Sequence, residues 1–297
     1  MRESSLNVYR CPACRGPLAL ARRDGTGDEV MTGVLSCGCG ISFPVENGVP
    51  ALVHPPSQDY LRENAETYDE LISFEARLLE DDERKVRTLA ADLLEIRPGD
   101  RVLEVACGPA SNFAYVLPRI AGGGELFALD ISPEMIRAAR RRLAADDSRN
   151  VELLFANGSF LPFADAAFDA LLHIGTLNRF PDVPRALAEM ARVVKPGGKV
   201  VAGDEGLAPW LRKSAYGRLL AKFGGLFQGD VPLNDLPEEA EDVCVRWVFG
   251  RAYYLVDFRV GRPPSPNLDV KLPGKDFTVR EALEAGKTAS SGPPATE

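Results

Sequence analysis

Histidine and tryptophan are scarce in this chain of 297 residues, with two of each. A metal centre built on three imidazoles is excluded at once. Long apolar runs are missing too: no stretch approaches the roughly 18 apolar residues that cross a bilayer, and no basic start leads into an apolar run and a small-residue cleavage site. The expectation is a cytoplasmic protein that does not span a membrane. Positive charge is in deficit, with 35 Lys and Arg against 43 Asp and Glu and a net charge of −8. A protein that grips nucleic acid through many phosphates needs a basic surface. The densest basic run, residues 137–142, reads as one solvated helix face, and Arg22-Arg23 is a single pair. Charge therefore argues for a small or neutral partner and against nucleic acid, without closing that route.

Cysteine is present but unevenly spread. Of six, Cys11, Cys14, Cys37 and Cys39 fall in the first 40 residues, while Cys107 and Cys244 stand alone. Two close pairs separated by a loop suggest metal ligation more than disulfides. Residues 1–55 are rich in Gly, Pro and Cys, with short β-like pieces at 30–35 and 41–45 and too few apolar residues to fold without a staple. Four thiolates around a tetrahedral structural zinc would supply one. Cys37-Gly-Cys39 is tighter than the usual two-residue spacing, so one ligand drawn from elsewhere stays open, as do free thiols.

Residues 54–57, His-Pro-Pro-Ser, read as a linker. Leu71, Phe74, Leu78 and Leu79, then Val86, Leu89, Leu93 and Leu94, recur at helical spacing. From residue 101 strands and helices alternate. Strands are expected at 101–106, 125–130, 151–156, 168–174 and 198–203, and helices at 111–120, 133–145 and 183–194, with Ser132 as an N-cap. Such alternation calls for a parallel sheet covered on both faces. A helical piece at 209–223 and a hairpin of 243–249 with 253–260 follow, and then a Pro-, Ser- and Gly-rich tail with one short helix near 278–285 and a disordered last dozen residues. The fold class expected is α/β, a Rossmann-like doubly wound sheet with an antiparallel C-terminal hairpin and a small N-terminal zinc ribbon. Its divisions are 1–55, 56–261 and 262–297.

Val102-Leu103-Glu104-Val105-Ala106-Cys107-Gly108-Pro109-Ala110 is an apolar strand entering a turn of small residues and then a helix. Small residues there let the backbone approach a ligand, as in dinucleotide-binding folds. Asp130 ends the second strand, where a carboxylate can accept both hydroxyls of a ribose. Asn157 follows the third, where an amide can read adenine. Three strand ends thus converge on one adenosine, in the crevice where open α/β sheets bind ligands.

These motifs resemble those of class I S-adenosylmethionine-dependent methyltransferases, of the type that includes the ubiquinone and menaquinone biosynthetic C-methyltransferases. The resemblance spans about 200 residues. It continues through Leu129-Asp130-Ile131-Ser132-Pro133-Glu134-Met135, Leu161-Pro162-Phe163, Phe168-Asp169-Ala170, Phe180-Pro181-Asp182 and Ala191-Arg192-Val193-Val194-Lys195-Pro196-Gly197-Gly198. It implies that Glu104 and the backbone of Ala106, Gly108 and Ala110 hold the methionine end of S-adenosylmethionine. Asp130 would hold the ribose with Ile131 beside it, and Asn157 with Gly158 the adenine. The family usually has Gly where this chain has Ala106 and Ala110, and Asp where it has Asn157. Residues 39–52 resemble the zinc-ribbon end of the small protein that activates several translation-related methyltransferases, and a similar ribbon precedes the catalytic domain of ribosomal RNA guanine methyltransferases.

On the acceptor side, His173 lies near the end of the strand at 168–174, where the resembling enzymes place a residue facing the methyl group. It could deprotonate a hydroxyl or amine, or be a packed, orienting imidazole. Asn178 stands where relatives often have His. Tyr68, with Tyr60 and Phe74, precedes the core on helices that cap the cofactor in the family, so an aromatic ring there could shield the sulfonium or simply pack. Trp210 and Tyr216 could wall an acceptor pocket. Three functions follow: methyl transfer to a small molecule in secondary or cofactor metabolism, methylation of ribosomal RNA guanine with the ribbon gripping RNA, or cofactor binding without turnover.

Overall fold

The computed structural model describes residues 1–56, 77–79, 82–146, 150–223 and 226–285. Tyr60, Tyr68 and Phe74 lie outside the described residues, as does the last dozen of the tail. The chain forms two compact units, Met1–Arg262 and Pro263–Glu297.

In the first unit, β1 (Leu18–Asp24), β2 (Thr32–Cys37), β3 (Ser42–Glu46) and β4 (Val49–Leu52) form an antiparallel meander. Then come α1 (Glu83–Leu93), β5 (Arg101–Val105), α2 (Phe113–Val116), β6 (Glu125–Asp130), α3 (Pro133–Asp146), β7 (Val151–Ala156), β8 (Phe168–Ile174), α4 (Val183–Val193) and β9 (Val194–Glu205). The unit ends with α5 (Ala215–Leu220), β10 (Ala240–Val248) and β11 (Tyr253–Val260).

The described strands lie in the order β1-β2-β3-β4-β7-β6-β5-β8-β9-β11-β10. Strands β4 to β9 pair in parallel, and β11 and β10 close one end as the expected antiparallel hairpin. The chain winds outward from β5 through β6 to β7, then returns to β8 on the other side of β5. That reversal opens a crevice at the carboxyl ends of β5 and β8.

Parallel strands covered on both faces should be apolar on both, and β5 and β6 are buried at every position after the first. One face packs Leu103, Val105, Phe127, Leu129 and His173 against Leu187 and Met190 of α4 and against Tyr9, Phe43 and Leu52. The other packs Val102, Leu126, Ala128 and Leu172 against Ala90 and Leu94 of α1, Phe113 and Val116 of α2, and Ile136 and Ala139 of α3.

The N-terminal segment is not a bead on a linker. β4 extends the main sheet by pairing Ala51 with Phe155 and Leu52 with Ala156, and His54 stands edge-on to Phe160 at 5.4 Å. Ahead of the meander, Arg2 Nε and the Ser5 hydroxyl donate to Glu152 Oε1 at 2.8 and 2.7 Å, and the Tyr9 hydroxyl donates to Oε2. Tyr9 itself is fully buried among Phe127 and Phe163.

Helix starts follow side-chain chemistry. Asp82 caps α1, the Ser132 hydroxyl accepts from the Met135 amide of α3 at 3.3 Å, and Asp182 caps α4 with Pro184 in its first turn. Two elements differ from expectation. The helix expected at 111–120 is only Phe113–Val116, because the Asn112 side chain is drawn into the crevice and Pro118 offers no backbone donor. The helical piece at 209–223 breaks into a 3-10 turn at Pro209–Leu211, then α5 capped by Ser214, then a second 3-10 turn at Ala221–Phe223. In the second unit, Thr278 and Glu281 form a reciprocal capping box for α6 (Val279–Glu284), where a short helix is expected.

Candidate active site

The turn after β5 is shaped by backbone conformation. Ala106, Gly108 and Ala110 have φ of 56°, 53° and 69°, the left-handed region that strains a residue bearing Cβ. The strain is held by hydrogen bonds: the Cys107 amide donates to Leu129 O at 3.0 Å, and the Gly108 amide to Asp130 Oδ2 at 2.9 Å. Asp130 Oδ1 accepts the Ser132 amide at 2.8 Å, so one carboxylate ties the first turn to the start of α3. The carboxylate thus stands at the carboxyl end of β6, beside the turn that follows β5. Ile131 is half-buried beside it.

Glu104 is the penultimate residue of β5, on the face covered by α1 and α2, and is 1% exposed. Its Oε1 accepts the Asn112 amide at 2.8 Å, while Oε2 is buried with no hydrogen-bond partner among the described residues. Burial pushes the Glu104 carboxyl up to about 7, against the opposing pull of Asn112 and Arg87. A buried carboxylate oxygen without a partner is what a cationic ligand would satisfy.

After β7, Asn157 turns its Oδ1 back onto the Ser159 amide at 2.9 Å, an Asx-turn that leaves the NH2 group for another partner. Gly158 has no room for a side chain, because a Cβ there would come within 2.8 Å of Phe180 and Val105. Glu104, Ala106, Gly108, Ala110, Asp130, Ile131, Asn157 and Gly158 thus gather on the carboxyl ends of β5, β6 and β7. The orphaned Glu104 oxygen, buried on the floor of this group, suits a ligand with a cationic end.

His173 is fully buried. Its Nδ1 lies 2.9 Å from Val105 O, and a carbonyl only accepts, so Nδ1 carries the proton and Nε2 is a bare acceptor. Nε2 has no partner among the described residues, Phe180 stands edge-on to the ring at 5.4 Å, and burial pushes the imidazole down to about 4. A neutral, enclosed ring that locks β8 to β5 has the geometry of the orienting alternative.

Sequence reasoning passed over a carboxylate pair at the end of β9. Asp204, fully buried, accepts the Thr176 amide at 3.2 Å and the Asn178 amide, and so fixes the loop after β8. Burial, with Asp204 alongside, pushes Glu205 up to about 8. Register puts Tyr254 opposite Asp204. Burial, reinforced by Asp204, Glu205 and Asp230, raises its hydroxyl, which has no partner among the described residues. A Gly203-Asp204-Glu205-Gly206 run closing the last parallel strand was the signal available. Trp210 is 64% exposed and stands edge-on to Trp247 at 5.8 Å, while the Tyr216 hydroxyl is buried without a partner among the described residues.

The four N-terminal thiols converge, with Cys11, Cys14, Cys37 and Cys39 Sγ all within 4.8 Å of one another. Two of the separations are 3.4 Å (Cys14 to Cys37) and 3.8 Å (Cys11 to Cys39). Zinc–sulfur bonds of about 2.3 Å in a tetrahedron put sulfurs about 3.8 Å apart. The tight Cys37-Gly-Cys39 pair therefore reaches the other two without a ligand from elsewhere.

This fold is the Rossmann-like α/β architecture shared with solved methyltransferase structures. Residues 103–202 match the family model described as a methyltransferase domain, and residues 4–48 that of Trm112p-like proteins. A segment that matches Trm112p-like proteins thus precedes one that matches methyltransferase domains. Over 109 residues it is 34% identical to a demethylmenaquinone methyltransferase of Bacillus mycoides and 36% identical to that of Bacillus cereus, covering 37% of this chain in each case. The match spans 46% of those relatives' own length, less than half. Among solved structures, one described as a possible exported protein from Bordetella parapertussis superimposes with a TM-score of 0.52 at 20% identity, covering 60% of this chain and 68% of that one. A chain of the complex between the Haloferax volcanii Trm112 methyltransferase activator and a provisionally assigned methyltransferase gives 0.50 at 17%, covering 68% and 100%. Both show a shared fold.

Proposed function

We propose that this protein transfers the methyl group of S-adenosylmethionine to a small-molecule acceptor. The observation that carries this reading is the crevice itself, where Glu104 Oε2, buried and unpartnered among the described residues, stands beside a strained turn whose Gly108 amide is pinned by Asp130. When bound, the cofactor supplies an activated methyl group, so the chain's task is mostly alignment and exclusion of water. Glu104 holds the ammonium end, Asp130 the ribose diol, and Asn157 with Gly158 the adenine edge. His173 keeps the β8 end in place as a neutral ring. Asp204 fixes the 176–178 loop, and Glu205, with a carboxyl near 8, can take or give a proton at the acceptor side.

The same reading assigns a structural zinc to Cys11, Cys14, Cys37 and Cys39, and thiols kept reduced as ligands suit the cytoplasm. The ribbon's charges favour a small acceptor over RNA. Arg2 pairs with Glu125 and Glu152, Arg15 with Glu189 and Arg22 with Glu3, so these arginines are already engaged within the protein. No described helix is long and apolar enough to cross a membrane.

The test is methyl transfer from radiolabelled S-adenosylmethionine to phenolic, quinol and amine acceptors alongside ribosomal RNA, with S-adenosylhomocysteine binding measured in parallel. Labelling of small acceptors is expected. Labelling of RNA alone would sink the small-molecule reading, and tight cofactor binding with no acceptor labelled would leave a binding protein without turnover.

A further inference from the structure

Glu104 does not stand alone in its buried position. Asn112, just ahead of α2, donates from Nδ2 to Glu104 Oε1 at 2.8 Å, and its own Oδ1 accepts from Arg87 Nη1 of α1. Arg87 is 8% exposed, and its Nε donates to Glu83 Oε1 one turn earlier at 2.7 Å. An amide can present either its oxygen or its NH2 group to a neighbour. Here the guanidinium holds the oxygen, so the NH2 group must face Glu104. The result is a chain of hydrogen bonds from α1 to the floor of the crevice, ending on a carboxylate whose other oxygen is unpartnered among the described residues.

We propose that Arg87 and Asn112 are positioning residues which orient Glu104 and keep it charged as the seat of the cofactor's ammonium group, so that cofactor affinity is set from α1. This rests on reading the crevice as the methyltransferase site. The groups facing Glu104 are Arg87 from α1, Asn112 ahead of α2, Asp130 from β6 and Cys107 from the turn. Arg87 and Asn112 favour the carboxylate, while burial and Asp130 oppose it. The thiol of Cys107 is itself pushed far up by burial and stays neutral. With the Glu104 carboxyl near 7, the ionised fraction changes most steeply around neutrality. Removing the Asn112 donor raises the carboxyl further. Removing Arg87 does the same twice over, by deleting a positive charge and by freeing the Asn112 amide to turn.

The experiment is calorimetric titration of the full chain with S-adenosylhomocysteine between about pH 5.5 and 9, for wild type, Asn112→Ala, Arg87→Met and Arg87→Lys. In the wild type, affinity should rise through neutrality and then level. In Asn112→Ala and Arg87→Met the midpoint should move up by about one unit, so affinity falls about tenfold near pH 6 and converges with wild type near pH 9. Arg87→Lys should recover part of the shift. An unmoved midpoint, or the same loss at every pH, would overturn the relay and leave these residues merely structural. Should Arg87→Met fail to fold, Asn112→Ala decides alone. Wild-type protein that binds S-adenosylhomocysteine with an unmoved midpoint in both variants defeats only the relay, whereas wild type that binds none defeats the methyltransferase reading with it.

Discussion

Residues 1–52 and the parallel strands β5 to β9 belong to one sheet and reach their stability by different routes. Strand β3 alternates exposed and buried positions, with Phe43 and Val45 inward and Ser42, Pro44 and Glu46 outward, whereas β5 and β6 are buried almost throughout. The parallel strands bury apolar area on both faces. The N-terminal half hangs on four thiols and on the seam it shares with β7. The difference teaches where each half is vulnerable: the ribbon at its staple, the parallel sheet at its few polar insertions, and both at the carboxylates that join them.

The largest expected effect comes from removing the staple. A structural zinc site contributes about 10 kcal/mol or more in small domains. Because β4 is hydrogen-bonded to β7 and one apolar cluster runs from Phe43 to Met190, the loss should not stay local. Chelation, or the pair Cys14→Ser with Cys37→Ser, should shift a single calorimetric transition down by at least about 10 °C. A separate low-temperature ribbon transition, with the main one unmoved, would break the picture of one cooperative unit.

The seam itself comes next. Glu152 is buried and accepts from Arg2, Ser5 and Tyr9, so Glu152→Ala leaves two hydroxyls without their acceptor and takes one of the two carboxylates paired with Arg2, Glu125 keeping the other. A buried hydroxyl deprived of its acceptor costs about 1–3 kcal/mol, so the two together should cost about 2–4 kcal/mol. Urea unfolding should read a loss of that size, and a loss under about 1 kcal/mol would mean the two halves are held by apolar contact alone.

Both the contrast and the seam bear on what could be read from the chain. Apolar runs alternating with helical patterns from residue 101 onward marked strands β5 to β9 and the C-terminal hairpin, because buried runs bounded by turn residues leave few alternatives. The seam carried no such signal. Nothing local in Val49-Pro50-Ala51-Leu52 announces a parallel partner a hundred residues on, and Glu152 inside an apolar strand shows its purpose only once Arg2 and Tyr9 are beside it. The residues proposed for the cofactor were visible because they sit at strand ends. The cluster at the end of β9 was not: Asp204 works through backbone amides of a distant loop, and Tyr254 faces it only through sheet register.

His173 sharpens the comparison from the parallel side, as a polar insertion in a face that is otherwise apolar. Its imidazole titrates near 4 in the folded protein, against an ordinary value of 6.5. The sign follows from proton counting. Between those values the unfolded chain binds the proton and the folded one does not, so His173 contributes stability that is present above 6.5 and lost as pH falls toward 4. The full loss is roughly 3 kcal/mol. Stability measured by urea from about pH 7 to 4 should fall steeply in the wild type and more gently in His173→Gln. Parallel slopes in the two proteins would mean that the imidazole keeps its ordinary value.

The smallest effect separates the two alanines of the cofactor turn. Both have left-handed backbones, where an L residue loses about 1–2 kcal/mol relative to glycine. Glycine also raises the entropy of the unfolded chain, which returns about 0.4–1 kcal/mol of that gain. Ala106 is half-buried, so Ala106→Gly should stabilise the protein by about 0.5–1 kcal/mol. Ala110 is 2% exposed and packs its methyl against the cluster containing Phe113 and Val116, so Ala110→Gly gives up burial and should come out near neutral. Neither change touches a side chain that faces the ligand, so S-adenosylhomocysteine affinity should stay within about threefold in both. If Ala106→Gly destabilises instead, the methyl group is packing where strain was expected. The turn would then be held by apolar contact, as the parallel strands are, and not by the hydrogen bonds of Cys107 and Gly108.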